Sequence, residues 1–392
     1  MSITFATGFT AGAVACGVRT GVPERLDVAL VASDRPCVVA ALYTTNRVVA
    51  APLVVTRRHL AAAQPRGIVA NSGNANACTG EQGERDAEAV AAAAAKAIGA
   101  RQEEMVVAST GVIGVPLPAE RIVRGLATVR LSRDGAADVA RAIMTTDTRE
   151  KTSSREVALS GGTVRIGGMA KGAGMIHPNL ATMLAFISTD ASIDESVLRG
   201  YVAEAADASF NAVSVDGDTS TNDMLIVLAN GASGVRVAGP DGTEFLRALT
   251  EVCVELAVAI VADGEGATKL VQVRVSGARS RDDARSAART VVASNLVKTA
   301  IHGADPNWGR ILAAAGRSGA EVDDRLASVR IAGHRAFERG HPVPLDAPGV
   351  RRALEQRFIE IELELGLGAE SATAWGCDLS AEYVRINAEY TT

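Results

Sequence analysis

The sequence predicts a layered α/β fold, and three observations carry that expectation. Short runs of Val, Ile, Leu and Ala, of strand length and bounded by Gly, Pro, Asp or Asn, recur along the chain. Longer Ala-rich or amphipathic segments of helical length lie between them. The two kinds intermix throughout, without the regular strand–helix alternation of a dinucleotide-binding fold. Composition agrees: of 392 residues 47 % are apolar but only 3 % aromatic, so a large core must be packed with aliphatic side chains.

Taken in order, "RLDVALVAS" (25–33) and "PCVVAALYTT" (36–45) read as buried strands, and "RGIVANSGNANACTG" (66–80) as a strand running into a loop. "GERDAEAVAAAAAKAIGA" is an Ala-rich helix closing on Gly99. "EEMVVASTGVIGVPLP" is a strand followed by a Gly/Pro loop, and "DGAADVARAIMT" a helix. "EVALSGGTVRIGGMAKG" predicts a hairpin about Gly161–Gly162. A strand from Met183 to Ser188, a helix in "DESVLRGYVAEAADASF", a strand in "DMLIVLANG" and a long helix in "TEFLRALTEVCVELAVAIVADG" follow. The charged stretch "SGARSRDDARSAARTV" changes the texture, and a boundary is expected there, dividing residues 1–275 from 276–392. Beyond it come further strands, a helix in "GVRRALEQRF", and a tail, "AEYVRINAEYTT", whose alternation of Tyr383, Arg385 and Asn387 predicts a strand.

Several function classes are disfavoured. Forty basic against forty-five acidic residues leave a net charge of −5 with no basic stripe, which argues against nucleic acid as a partner. No apolar run reaches the roughly eighteen residues of a membrane span, and the N-terminal stretch has no signal-peptide pattern. The five cysteines are scattered, with no CxxC pair, and the five histidines show no metal-ligand spacing. Free thiols in a reducing cytoplasm, no metal and no cofactor are the expectation.

The most unusual stretch is "KGAGMIHPNLATMLAFISTD" (171–190). Gly172, Gly174 and Pro178 bend the approach to Ala181–Thr182, and an apolar run then begins at Met183. A threonine opening a buried strand explains this without chemistry. A second explanation is self-cleavage: the Thr182 hydroxyl attacks the Ala181 carbonyl, an ester forms, and water opens it. Thr182 then becomes an N-terminus whose own amine, of ordinary pKa about 7.7–8.0, serves as its base. "ASTGVIG" places Thr110 and Gly111 at a strand end, where N–H and O–H groups can stabilise an oxyanion or simply make a turn. Lys171 suits a substrate carboxylate better than a pyridoxal Schiff base, since no phosphate cradle accompanies it. "DGDTSTND" fails as a calcium loop, with Thr221 where glycine is needed and Val227 where glutamate is needed. "DGEGATK" lacks phosphate-loop spacing but presents Glu265 between two glycines. "GADPNWGR" reads as an interface element or a structural clasp.

Nine blocks in order, "ANSGNANACTG", "ASTGVIG", "IMTTDT", "GGMAKGAGMIHPNLATML", "FNAVSVDGDTSTND", "DGEGATK", "LVKTAIHGADPNWGRI", "GCDLS" and "YVRINAEYTT", resemble the ornithine acetyltransferase family, the bifunctional arginine-biosynthesis glutamate N-acetyltransferases. The resemblance implies an αββα-type sandwich like that of certain self-cleaving aminopeptidases, with a smaller C-terminal α/β domain. It also implies cleavage between Ala181 and Thr182, with Thr182 as nucleophile and Thr110 and Gly111 as oxyanion hole. Thr145, Lys171, Thr182, Glu265, Asn387 and Thr392 match its substrate-binding positions. The implied reaction moves acetyl from N-acetylornithine to glutamate, in a cytoplasmic heterotetramer of two copies of each self-cleaved chain. Acetyl-CoA stands as a second candidate donor, with no signature legible in the residues. A hydrolase of the same architecture and a non-catalytic binding protein are the rivals.

Overall fold

A computed structural model describes residues 2–19, 24–177 and 183–389. The first strands are β1 (Phe9–Val14), β2 (Val28–Ser33), β3 (Val38–Tyr43), β4 (Gly67–Asn74) and β5 (Met105–Val112). They are followed by β6 (Lys151–Leu159), β7 (Gly162–Lys171), β8 (Leu184–Thr189), β9 (Val213–Ser214) and β10 (Met224–Ala229). Between them run α1 (Ala51–Ala62), α2 (Gly80–Ile98), α3 (Ala119–Leu126), α4 (Ala136–Ala142) and α5 (Glu195–Asp207). Helix α6 (Pro240–Ala262) closes this part.

Two sheets form, ordered β1-β2-β4-β5 and β3-β10-β8-β7-β6. Side-chain alternation decides how they stack. From β8 and β10, Leu184, Phe186, Met224, Ile226 and Leu228 share a core with Ile68 and Ala70 of β4 and Val106 and Ala108 of β5. Their neighbours Ala185, Ile187, Leu225 and Val227 point the other way, into a core with Leu198 and Val202 of α5 and Phe245, Leu249 and Leu256 of α6. On the outer face of the other sheet, Val69, Met105 and Val107 pack under Val90 and Ala94 of α2 and Ile122 of α3. The layers are therefore helix, sheet, sheet, helix: the αββα sandwich expected. Strands buried on both faces explain the continuous apolar runs in the sequence. The hairpin turn pairs Leu159 with Gly162, and α2 ends on Gly99 at φ 65.

The remaining elements are β11 (Leu270–Ala278), α7 (Arg281–Val292), α8 (Asn295–His302), α9 (Trp308–Gly316), β12 (Ser328–Ile331), β13 (His334–Glu338) and β14 (His341–Pro342). After them come α10 (Ala347–Leu354), β15 (Phe358–Glu364), β16 (Glu370–Cys377) and α11 (Ala381–Glu389). They build a third sheet, β14-β13-β12-β15-β11-β16-β9, with its own core against α7, α9 and α10. The division expected after residue 275 falls inside β11, and β9, from the earlier part of the chain, pairs with β16. The charged texture near residue 280 belongs to α7, whose Ala284, Ala287, Ala288 and Val291 face the sheet. "GADPNWGR" forms a clasp: Asn307 caps α9 by accepting from Arg310 N at 3.2 Å, and Trp308 stacks on Phe337.

The C-terminal tail corrects the sequence expectation. Residues 381–389 form helix α11, not a strand. Ser380 Oγ accepts the Tyr383 N–H at the helix start, and Arg385 pairs with Glu382 and Glu389 one turn to either side. A strand would have needed a sheet edge to satisfy its backbone. All five cysteines are free. No helix among the described residues is long and apolar enough to cross a membrane.

Candidate active site

The ends of β5 and β7, one from each sheet of the sandwich, meet at its edge. Ser109 Oγ donates to Asn71 Oδ1 at 2.6 Å and ties the end of β5 to β4. Gly111 has φ +134, and a Cβ there would lie 2.3 Å from the Gly73 carbonyl carbon. Only glycine lets the two strands close at this point. Thr110 is thereby held buried, and Lys171, the last residue of β7, donates to its Oγ1 at 3.1 Å. An Asn222 side chain braces the same strand end by donating to the carbonyls of Ala75 and Ser109.

A buried charge ladder stands behind Lys171. Asp147 accepts from the Thr145 N–H at 2.9 Å, the Gly172 N–H at 2.7 Å and Lys151 Nζ at 2.6 Å. Lys151, fully buried, reaches on to Asp263 at 2.6 Å, and Asp263 accepts the Thr148 N–H. Burial pushes the Asp147 pKa up, but Lys171, Lys151 and the Gly172 N–H outweigh it and leave it below the ordinary carboxylate value. Burial lowers Lys171, with Asp147 pulling it back up and Lys151 pushing it further down. The ladder thus sets the geometry of Thr145 and Gly172 and the charge of Lys171 together.

The opposite wall comes from the end of α6 and from α11. Glu265 N donates to Ala173 O at 2.8 Å. Gly174 admits the carboxylate beside it, since a Cβ there would sit 2.4 Å from Glu265 Oε2. Asn387 Nδ2 donates to that same oxygen at 2.8 Å. Asp216 accepts the N–H groups of Met175 and Ile176, and the Tyr383 hydroxyl at 3.3 Å. Burial raises the Asp216 pKa despite those N–H groups, and burial with Asp216 raises Tyr383.

Groups from both walls line one open cleft. Thr110, Gly111, Thr145, Lys171, Glu265 and Asn387 all face it. Ala181, Thr182 and Thr392 lie outside the described residues. Sequence reasoning assigned no role to Asp147, Asp216, Asp218 or Tyr383. Their signal was present in "IMTTDT", "DGDTSTND" and "YVRINAEYTT", but which carboxylate meets which N–H depends on contacts far apart in the chain. No cluster among the described residues is arranged to hold a metal ion. With a buried ammonium and a hydroxyl on one side and Glu265, Asp216 and Asp218 on the other, the cleft is suited to a solute carrying both charges.

The sequence profile of the ArgJ family matches residues 10–392. An arginine biosynthesis bifunctional protein ArgJ from Symbiobacterium thermophilum is 50 % identical over 395 residues, covering 100 % of this chain and 98 % of its own. Its counterpart in Dehalococcoides mccartyi is 48 % identical over 396 residues, covering 100 % and 97 %. A crystal structure of arginine biosynthesis bifunctional protein argJ from Bacillus halodurans is 42 % identical, with a TM-score of 0.50, over 52 % of this chain and 97 % of that one.

Proposed function

The chain belongs to the ArgJ family, and from that premise we propose that it transfers acetyl from N2-acetylornithine to glutamate through an acetyl ester on Thr182. In this reading the chain first cuts itself between Ala181 and Thr182. The two products stay associated, two copies of each, in the cytoplasm. What supports self-cleavage is the Gly-rich bend before Ala181–Thr182 and the nearly whole alignment of the solved B. halodurans chain with about half of this one. A break after residue 181 would leave two chains of similar length.

The freed Thr182 amine takes the hydroxyl proton as Thr182 Oγ attacks the acetamide carbonyl of N-acetylornithine. Thr110 and Gly111 stabilise the tetrahedral oxyanion. Lys171 donates to Thr110 Oγ1, so the hydroxyl's own proton is free to point at that oxyanion. The C–N bond breaks, the amine proton returns to the leaving nitrogen, and ornithine departs. Glutamate then binds, its neutral amine attacks the ester carbonyl, and Thr182 Oγ leaves with the proton. One oxyanion hole serves both halves because both pass through the same kind of intermediate.

Both substrates carry an α-carboxylate. An ammonium has three donors, so one bond to Thr110 leaves Lys171 two for that carboxylate, whose arrival also favours the charged form. The side chains end in opposite charges. Glu265 and Asp216 suit the ornithine ammonium, whereas the Asn387 amide and the Tyr383 hydroxyl, by giving up their bonds to Glu265 and Asp216, can donate to the glutamate side chain. Thr145 and Thr392 complete the proposed substrate contacts.

The observation that carries the reading is the convergence of Thr110, Gly111, Thr145, Lys171, Glu265 and Asn387, from separate segments, on one cleft. The test is acetylglutamate formation, assayed with N-acetylornithine and with acetyl-CoA as separate donors, beside the intact mass of the purified protein. Acetylglutamate from N-acetylornithine and two chains, the second beginning at Thr182, are expected. Activity from acetyl-CoA would add the second donor. A single uncut chain with full activity would overturn the N-terminal-nucleophile reading.

A further inference from the structure

Met175 lines the candidate active site, while His177, two residues on, lines a second cleft. Helix α7 supplies one side of this cleft. Its apolar face is packed on the third sheet, so Arg285 and Arg289, one turn apart, are turned away from the core. Arg317, just past the end of α9, faces the same space.

The charges in the cleft do not balance. Asp207 pairs with Arg285 at 3.2 Å, and Asp282, almost wholly exposed, comes only to 4.0 Å from the same arginine. Among the described residues no carboxylate comes within ion-pair distance of Arg289 or Arg317. Arg289 Nε is shut off from solvent with no hydrogen-bond partner among the described residues. Burial works against the Arg289 charge, although Asp207 supports it. That Nε is out of a ligand's reach, so an anion in the cleft would meet the terminal nitrogens of the same guanidinium.

We propose that this cleft binds a phosphate-bearing anion, held by Arg289 and Arg317 with the Thr290 hydroxyl as a further donor. Two guanidinium groups with no carboxylate at ion-pair distance among the described residues can grip one ligand together, and a phosphoryl group has oxygens enough to accept from both forks and a hydroxyl at once. A monocarboxylate would satisfy one fork and leave the other bare. Among the described residues the site is separate from the proposed transferase site: none of them lines both clefts, and the segment from Met175 to His177 runs from one to the other.

His177 supplies a built-in reporter. Its Nδ1 lies 3.2 Å from Ser214 Oγ. Burial holds its pKa below the ordinary value, Asp218 pulls it up and Arg289 pushes it down. An anion placed over Arg289 changes the field at that ring.

The experiment titrates the purified protein, with all its chain segments present, with pyrophosphate, and separately with inorganic phosphate, at low salt. Calorimetry is paired with imidazole-nitrogen NMR of His177. One site per copy of the 392-residue sequence is expected, whether cut or whole, with the His177 resonances moving in step with the heat. Arg317→Gln, at an exposed position where folding is not at stake, should weaken pyrophosphate binding by about tenfold. Arg289→Lys should weaken it while keeping the charge, because the fork is lost. Saturating glutamate should leave the affinity unchanged. No binding, binding indifferent to Arg317→Gln, an unmoved His177, or displacement by glutamate would each overturn the site. None of these outcomes bears on acetyl transfer, so the two proposals fail separately.

Discussion

The two walls of the candidate active site are built in opposite ways. Thr110 and Lys171 sit at the ends of strands paired along their length, backed by a sandwich core and a buried charge ladder. Glu265 and Asn387 sit on a loop and on α11, a helix with no buried residue, touching the cleft through side-chain hydrogen bonds. Sheet ends hold atoms to fractions of an ångström, which suits groups that must meet an oxyanion. A lightly docked helix can shift, which suits a wall that must accept an ammonium in one half-reaction and a carboxylate in the next. The contrast predicts that damage to the first wall appears in turnover or folding, and damage to the second in affinity.

The largest effect lies where the walls are joined by chemistry. Thr182→Ala should abolish both self-cleavage and transfer, giving one chain on a denaturing gel and no acetylglutamate. Thr182→Ser should still cleave, since hydroxyl and future amine persist. Next comes the ladder behind the strand wall. Asp147→Asn leaves two buried lysines short of a partner and should cost about 3–5 kcal/mol in unfolding experiments. The folded Asp147 pKa is depressed, so its contribution is complete above the unfolded value, about 3.9, and is lost as pH falls through the lower folded value. The stability gap between native protein and Asp147→Asn should therefore shrink only below about pH 4. A gap that closed already near pH 6 would assign the stability to another group.

Thr110→Ala should lower kcat by about a hundred- to a thousandfold with KM little changed, if the hydroxyl meets the oxyanion. A rise in KM alone would move Thr110 from the reacting atoms to substrate binding. Asn387→Ala removes one hydrogen bond from the docked wall. It should raise KM for N-acetylornithine or glutamate about five- to tenfold, near 1 kcal/mol, with kcat nearly intact. The smallest effect is expected from deleting residues 388–392. Cleavage should be unaffected, affinities should fall a few-fold, and released acetate should rise relative to acetylglutamate as water gains access to the ester. An unchanged ratio with unchanged affinities would make the tail a bystander and erase the contrast between the walls.

Much of the fold was legible in the residues because its causes are local. Short continuous apolar runs marked β8 and β10, the pattern ending on Gly99 marked α2, and Gly161–Gly162 marked the β6–β7 hairpin. The tail was misread for the same local reason. Tyr383, Arg385 and Asn387 alternate like a strand, but Tyr383 and Asn387 are also one helical turn apart and share the face that meets Asp216 and Glu265.

The sequence by itself determined most of the core strands and helices, though not α11, and which Gly-bounded loops carried polar groups without an obvious structural use. Tertiary structure alone decided which of those groups face each other. Thr110 and Lys171 stand on different sheets, Asp147 and Asp263 grip one lysine across 116 positions, and Glu265 meets a helix 122 residues further on. Periodicity reports which face of an element is apolar, and that is a property of neighbours in the chain. The charge on Lys171 and the partners of Asp216 depend on burial and on distance in space, and those exist only once the sheets have stacked.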